Sequence, residues 1–372
     1  MSIYNFFLYI YIFYRRRSLY LLCFSLIVSL ILSNSIILLE FKHRIIISLI
    51  ISFFNLCVLK NVIQKIIFTI KKDVFTILIN SVIIFYYVII VFCQFFSPNE
   101  IKYIIKIFNK NIVFYTAEKS YMENCNSLNN ITDKLDIFVI AHLLGWFIKG
   151  FAMRNFFLLN LNSVLFELLE LRFQHLLPNF YECWWDHVIL DVLGCNLIGI
   201  MLSIFVMKYF NIPFFDWTIP DKIKPKKKNL IFPTLDKLCR KVFKNSASLL
   251  LLIFYSIIVN IIDLNIFFLK AELNLYPTNY IIFLRTGLVV IICVKASIEL
   301  HNCISREASI DGVFYVFIVV TIFLLELLLC VKWKHNLKSD NSDLTVINAT
   351  WLLITSTFSS ILLFLYANEC LI

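Results

Sequence analysis

About ten stretches of this sequence, each close to 20 apolar residues long, restrict the chain to one kind of fold. Such a stretch crosses a bilayer as a helix, because the hydrocarbon offers no water to satisfy backbone N–H and C=O groups. The stretches fall at 18–39, 44–59, 74–97, 137–153, 156–173, 188–210, 247–269, 280–300, 312–332 and 347–368. Of the 372 residues 60% are hydrophobic and 16% charged, whereas soluble domains run near 25% charged. The expectation is an all-α, polytopic integral membrane protein with about ten transmembrane helices. The second stretch is short and is expected to extend towards residue 70. Residues 4–14 are apolar but too short to span, and they precede Arg15, Arg16 and Arg17, the reverse of a signal peptide's charge order. They read as a cytoplasmic or interfacial segment (1–17), followed by one membrane domain over 18–372 whose polar core is 136–200.

Lysine and arginine divide unevenly between the loops, and that division orients a membrane protein. With a cytoplasmic N-terminus, Arg15–Arg17, Lys60, Lys65, Lys71, Lys72 and the strongly basic loop 211–246 all lie on the cytoplasmic side. Loop 98–136, of mixed charge, falls on the lumenal side, together with the glycosylation sequon Asn130-Ile131-Thr132. The formal net charge of +10 is then a topology charge drawn to anionic lipid, not a nucleic-acid-binding surface. The 11 cysteines are scattered, mostly within spans and without a CxxC pair, so neither a disulfide framework nor a zinc ribbon is expected.

Against this apolar background, "FELLELRFQHLLPNFYECWWDHVILDVLGCN" (166–196) concentrates Glu167, Glu170, Glu182, Asp186 and Asp191. One acid at mid-membrane costs about 2.5–3.5 kcal/mol on insertion scales, so five imply a polar cavity, a metal, or both. On a helical wheel Glu167, Glu170 and Gln174 fall within about 60° of one another, with Arg172 pointing away. Pro178 interrupts the helix. If a new helix starts there, Asn179, Glu182 and Asp186 share a second face about 60° wide, with Asn196 close to it. Asp191 falls opposite and needs another partner or a bend. Carboxylates suit a hard cation, Ca²⁺ or Mg²⁺, and Glu170, Glu182 and Asp186 are the expected ligands. Cys183 is expected to pack, His187 to lie at the interface, and His175 stays open. The bland alternative is an ion-pair network in which Arg172, Lys149 and Arg154 neutralise the acids. Upstream, His142, Trp146, Lys149 and Met153 share one helical face. Beside an acidic metal cavity, His142 becomes a candidate base or nucleophile near neutral pH.

"DIFVIAHLLGW" (136–146), "HLLPNFYECWWDHVILDVLGCN" (175–196) and "DLNIFFLK" (263–270) resemble the eukaryotic base-exchange phosphatidylserine synthases, collinearly from about residue 12 to the C-terminus. The resemblance implies Ca²⁺-dependent, nucleotide-independent exchange of a choline or ethanolamine head group for L-serine. It implies phosphatidylcholine or phosphatidylethanolamine as donor, an endoplasmic reticulum membrane, a lumenal active site and compatibility with a homodimer. The positions that match the family's functional residues are His142, Glu167, Glu170, Asn179, Glu182, Asp186, Asp191 and Asn196. His142 is the implied catalytic residue; Glu167, Asn179, Asp191 and Asn196 are left to hold serine or orient the metal ligands. The sequence departs from the family in a shorter N-terminal extension. "LKNVIQKIIFTIKKD" stands where the family has an Arg-Pro-His-Pro stretch, and Lys295 stands at a position where a regulatory Arg is common, which puts feedback inhibition in doubt.

Two rivals remain at the level of sequence. A CDP-alcohol phosphatidyltransferase carries Asp-Gly followed by Ala-Arg, but Asp311-Gly312, the only Asp-Gly here, runs into "VFYVF". A cation channel or transporter would use the acids as an ion path and would have no need of His142; transporters also tend to show paired broken helices, and only the Pro178 break is evident.

Overall fold

The computed structural model describes residues 20–67, 74–115, 125–126, 137–219, 243–305, 310–334 and 344–370. Segment 4–14, the sequon at 130–132 and most of the basic loop (220–242) lie outside the described residues.

The described chain is helical, with an isolated bridge between Phe114 and Leu275. The helices are α1 (Tyr20–Leu38), α2 (Phe41–Ile67), α3 (Val74–Cys93), α4 (Pro98–Phe108), α5 (Ile137–Met153), α6 (Phe156–Phe173), α7 (Asp186–Tyr209), α8 (Ser246–Glu272), α9 (Tyr280–Ile304), α10 (Ile310–Trp333) and α11 (Leu344–Cys370). Each of the expected spans coincides with one of them, and the second does extend, to Ile67. Seven of these helices are long and apolar enough to cross a membrane by length and composition; apolar stretches in α3 and α5 are shorter. The chain is a multi-pass membrane protein.

Short polar residues between the apolar runs start the helices. Asn155 accepts from the Leu158 amide, Asn245 from Ser248 and Asn279 from Ile281, which satisfies amides that have no partner inside the helix. α4 was not expected within loop 98–136. Its signal was present in Ser97-Pro98-Asn99-Glu100, which forms a capping box with Pro in the first turn.

Two apolar cores hold the bundle. One joins α1, α2, α3, α9 and α10 through residues such as Leu59, Ile83, Tyr87, Ile292 and Phe323. The other joins α5 to α8 through Trp146, Leu159, Phe166, Ile200 and Phe268. Between them runs a buried polar knot that the sequence reading missed. Arg285 of α9 donates twice to Glu326 of α10, at 3.1 and 2.7 Å. Tyr86 of α3 also donates to Glu326, as does Asn265 of α8 at 2.9 Å. Four helices are thereby tied at one fully buried carboxylate.

α5 and α7 come closest. A Cβ on Gly199 would stand 2.4 Å from the Leu143 carbonyl oxygen, and one on Gly150 would overlap Ser203. Glycine at these positions lets the two backbones touch, the usual device for close helix packing in membranes. His142 precedes Leu143, and Asn196 lies one helical turn before Gly199, so the close approach brings that pair together.

Candidate metal and catalytic site

The acids converge, by a route that differs from the helical-wheel expectation. Glu167 and Glu170 share the buried face of α6, as their spacing predicts. Pro178 does not start a continuous helix. It begins a single 3₁₀ turn, Pro178–Phe180, after which 181–183 are irregular and the helix resumes at Trp184. Glu182 therefore sits on irregular backbone and shares no helical face with Asn179 or Asp186.

The larger correction concerns Asp191. Asp186–Asn196 is a π-helix, in which amides bond to the carbonyl five residues back instead of four. Residues five apart then stack. Asp186, Asp191 and Asn196 follow that spacing, and all three are buried. On an α-helix Asp186 and Asp191 would diverge by about 140°; the wider turn supplies the bend that Asp191 needed. Extended π-helix is rare and marks functional sites.

Two overlapping clusters result. Donor atoms of Glu167, Glu170, His187 and Asp191 lie within 4.8 Å of one another, and so do those of Glu182, Asp186 and Asp191. Asp191 belongs to both. Glu170 thus groups with the first set, while Glu182 and Asp186 form the second. His187 is not at an interface but buried, with Nδ1 3.1 Å from Glu167 and 3.6 Å from Glu170. Its neighbour at 183 also departs from expectation: Cys183 forms a disulfide with Cys125, and the Trp185 indole donates to the Cys125 carbonyl at 3.0 Å. Sequence gave no spacing rule for a pair 58 residues apart.

Lysine and arginine do not neutralise this site in the way the ion-pair alternative requires. Lys149 pairs with Asp263 of α8 at 2.7 Å and lies over the Trp146 ring. Arg154 caps Phe151 and stacks on Phe215. Among the described residues, Glu167, Glu170 and Asp191 pair with histidines alone. The Glu182 carboxyl is pushed well above the usual carboxylate range, by burial first and then by the negative charges of Glu170 and Asp186. An all-oxygen set with surplus negative charge, Glu182, Asp186 and Asp191, fits a hard divalent cation such as Ca²⁺. The set containing His187 is less suited to a hard cation, because it offers a nitrogen donor among the oxygens.

His142, on α5, is fixed from one side. Asn196 donates through Nδ2 to Glu167 Oε1 and to Ser163 Oγ, both at 3.1 Å. That orientation turns its Oδ1 towards His142 Nδ1, 3.2 Å away. An amide oxygen only accepts, so His142 carries its proton on Nδ1 and keeps the Nε2 lone pair. Asp191 stands 4.0 Å from the same ring nitrogen, where it stabilises the imidazolium once Nε2 takes a proton. Glu167, Asn196 and His142 form a chain of hydrogen bonds whose last member has the fixed orientation that a base or nucleophile needs. Asn179 is buried in the 3₁₀ turn, and its side-chain oxygen has no hydrogen-bond partner among the described residues. His175 is half-buried and belongs to neither cluster.

Residues 72–334 match the family described as "PSS: Phosphatidyl serine synthase". The chain is 30% identical over 295 residues to CDP-diacylglycerol–serine O-phosphatidyltransferase 2 of Oryza sativa subsp. japonica, covering 74% of this chain and 68% of that protein. To the corresponding protein 1 of Arabidopsis thaliana it is 29% identical over 288 residues, covering 73% and 68%. To phosphatidylserine synthase 2 of Homo sapiens it is 33% identical over 217 residues, covering 54% and 44%.

Proposed function

Because the chain belongs to the phosphatidylserine synthase family and is a phosphatidyl-transferring enzyme with serine as acceptor, we propose that it works by base exchange, replacing the choline or ethanolamine of a membrane phospholipid with L-serine. The observation that carries this reading is the His142 tautomer lock beside a carboxylate cluster. Exchange between two alcohols needs one group that can take a proton from serine and return it to the leaving head group. It needs no activated nucleotide, because a phosphodiester is broken as one is formed. His142 Nε2 takes the proton of the serine hydroxyl, the serine oxygen bonds to phosphorus, the bond to the choline or ethanolamine oxygen breaks, and the same proton goes to that oxygen. In the alternative sequence Nε2 attacks phosphorus and the bond to the choline or ethanolamine oxygen breaks, that oxygen taking a proton from a carboxylic acid of the cluster; the serine oxygen then displaces the histidine and its hydroxyl proton returns to that carboxylate. The stereochemistry at phosphorus separates them: one displacement inverts it, two retain it.

Glu182, Asp186 and Asp191 would hold Ca²⁺, which when bound supplies positive charge to a phosphate oxygen. The carboxylates outside that set, with Asn179, are suited to receiving the serine ammonium. The Cys125–Cys183 disulfide supports a site in an oxidising compartment, and the lysine and arginine distribution supports a lumenal site in the endoplasmic reticulum with a cytoplasmic N-terminus. Labelling a cysteine placed at Lys227 in sealed microsomes tests that orientation; protection from an impermeant reagent applied outside overturns it.

The names of the plant relatives carry a second reading, transfer from CDP-diacylglycerol. Purified protein in phosphatidylcholine or phosphatidylethanolamine vesicles, given labelled serine and Ca²⁺, distinguishes the two. Base exchange yields phosphatidylserine and free choline or ethanolamine in equal amounts, and chelation stops both. Synthesis that appears only when CDP-diacylglycerol is added overturns the proposal.

A further inference from the structure

Beneath His142 the helices α5, α8 and α9 part to leave a groove of about 420 Å³, within the range of small-molecule sites. Its walls are chiefly apolar. Ile140, Leu144 and Phe283 line it and are exposed, so it opens sideways, to the hydrocarbon that surrounds a multi-pass protein. The charged residues on its wall do not oppose an apolar guest: Lys149 is paired with Asp263 and Arg285 with Glu326. At the end nearest the first turn of α5, Lys270 lies over the Phe138 ring.

Gly145 is the informative residue. It stands one turn after His142 and lines the groove. A Cβ there would meet nothing within 4 Å, unlike one on Gly150 or Gly199. Glycine inside a helix is less stable than alanine by about 0.5–1 kcal/mol. Gly145 therefore keeps open a space that no part of the described protein fills, directly beside the candidate catalytic histidine.

We propose that this groove holds an acyl chain of the glycerophospholipid that donates the phosphatidyl group. The phosphate lies at the His142 end, and the chain runs along α5 past Gly145 towards Met153. The proposal rests on the reading of His142 as the reacting group.

The test uses the full chain in detergent and a phosphatidylcholine carrying a photoactivatable diazirine at mid-chain. Label is expected on peptides of α5, α8 or α9. Gly145→Phe should remove it, because a Cβ there meets nothing within 4 Å and the ring beyond it would take up space in the groove, whereas Gly145→Ala should not. In turnover, Gly145→Phe should lower the ratio of kcat/KM for dioleoyl over dihexanoyl phosphatidylcholine by about tenfold. Label confined to other helices, label displaced by cholesterol but not by unlabelled phosphatidylcholine, or an unchanged chain-length ratio overturns the proposal. If the protein exchanges no head group yet the label enters these helices and is lost in Gly145→Phe, the groove stands and the base-exchange reading falls.

Discussion

At the scale of single residues, the proposed site divides into a group that would react and groups that would hold charge. His142→Ala should reduce turnover by about 10²–10⁴-fold, the range for a general base, without moving the thermal unfolding midpoint or its shift by Ca²⁺. Asn196→Ala should act on kcat more than on KM, since it frees the His142 tautomer while leaving the carboxylates in place; an unchanged kcat would sink the relay. Glu182 gives a pH prediction. Its carboxyl is held above the ordinary range, so the metal-free fold binds that proton more tightly than the unfolded chain does. The resulting stability is fully present below the unfolded value and is lost as pH rises through the raised one. Metal-free protein should thus lose stability with rising pH in that window, while Ca²⁺, which competes with the proton, should bind more tightly as pH rises. Glu182→Gln should flatten both trends, measured as unfolding midpoints at fixed Ca²⁺. The identities of the acids and of His142 were legible in the sequence because charge is conspicuous in an apolar chain. The role of His187 was not, since a lone histidine shows its partners only once α6 and α7 are packed.

At the scale of elements, the site depends on two departures from regular helix packing. The first is the π-helix, which no 3.6-residue wheel can anticipate; the sequence showed only that Asp191 did not fit. The second is the α5–α7 contact. Gly199→Ala would place a methyl against the Leu143 carbonyl, and backbone cannot move aside as a flexible side chain can. The helices should separate, His142 should lose Asn196, and activity should fall although insertion and helix content persist, as circular dichroism and assay together would reveal. Stabilisation by this substitution, the ordinary result of Gly→Ala in a helix, would contradict the close approach. The 3₁₀ turn at Pro178 was half legible: proline announced a break, but not that Glu182 would stand on irregular backbone.

At the scale of the whole molecule, hydropathy located a helix at each of the ten expected stretches, because a bilayer leaves a chain of this composition few alternatives. Seven of the helices are long and apolar enough to span. What joins the spans was hidden. Glu326 lies in an apolar run where one acid gives no periodic signal, yet four helices meet at it. Glu326→Ala would strand Arg285 and should destabilise the fold by roughly 3–5 kcal/mol, the loss typical of a broken buried pair, read from denaturation in detergent. The Cys125–Cys183 link has a consequence for the order of manufacture. Its two ends are separated by 58 residues, and α5 and α6 lie between them. Cys125 must therefore wait, already delivered to its side of the membrane, until the ribosome has supplied that helical hairpin and returned the chain to the same side. Only then is the segment bearing Glu182 fastened. If the site lies in an oxidising compartment, as proposed, a newly made chain is an inserted protein before it is a finished enzyme, and the oxidising machinery there sets the interval between the two. Pulse-labelled chains blocked from oxidation should reach full membrane integration yet need more Ca²⁺ for activity, and Cys125→Ser should make that immature condition permanent.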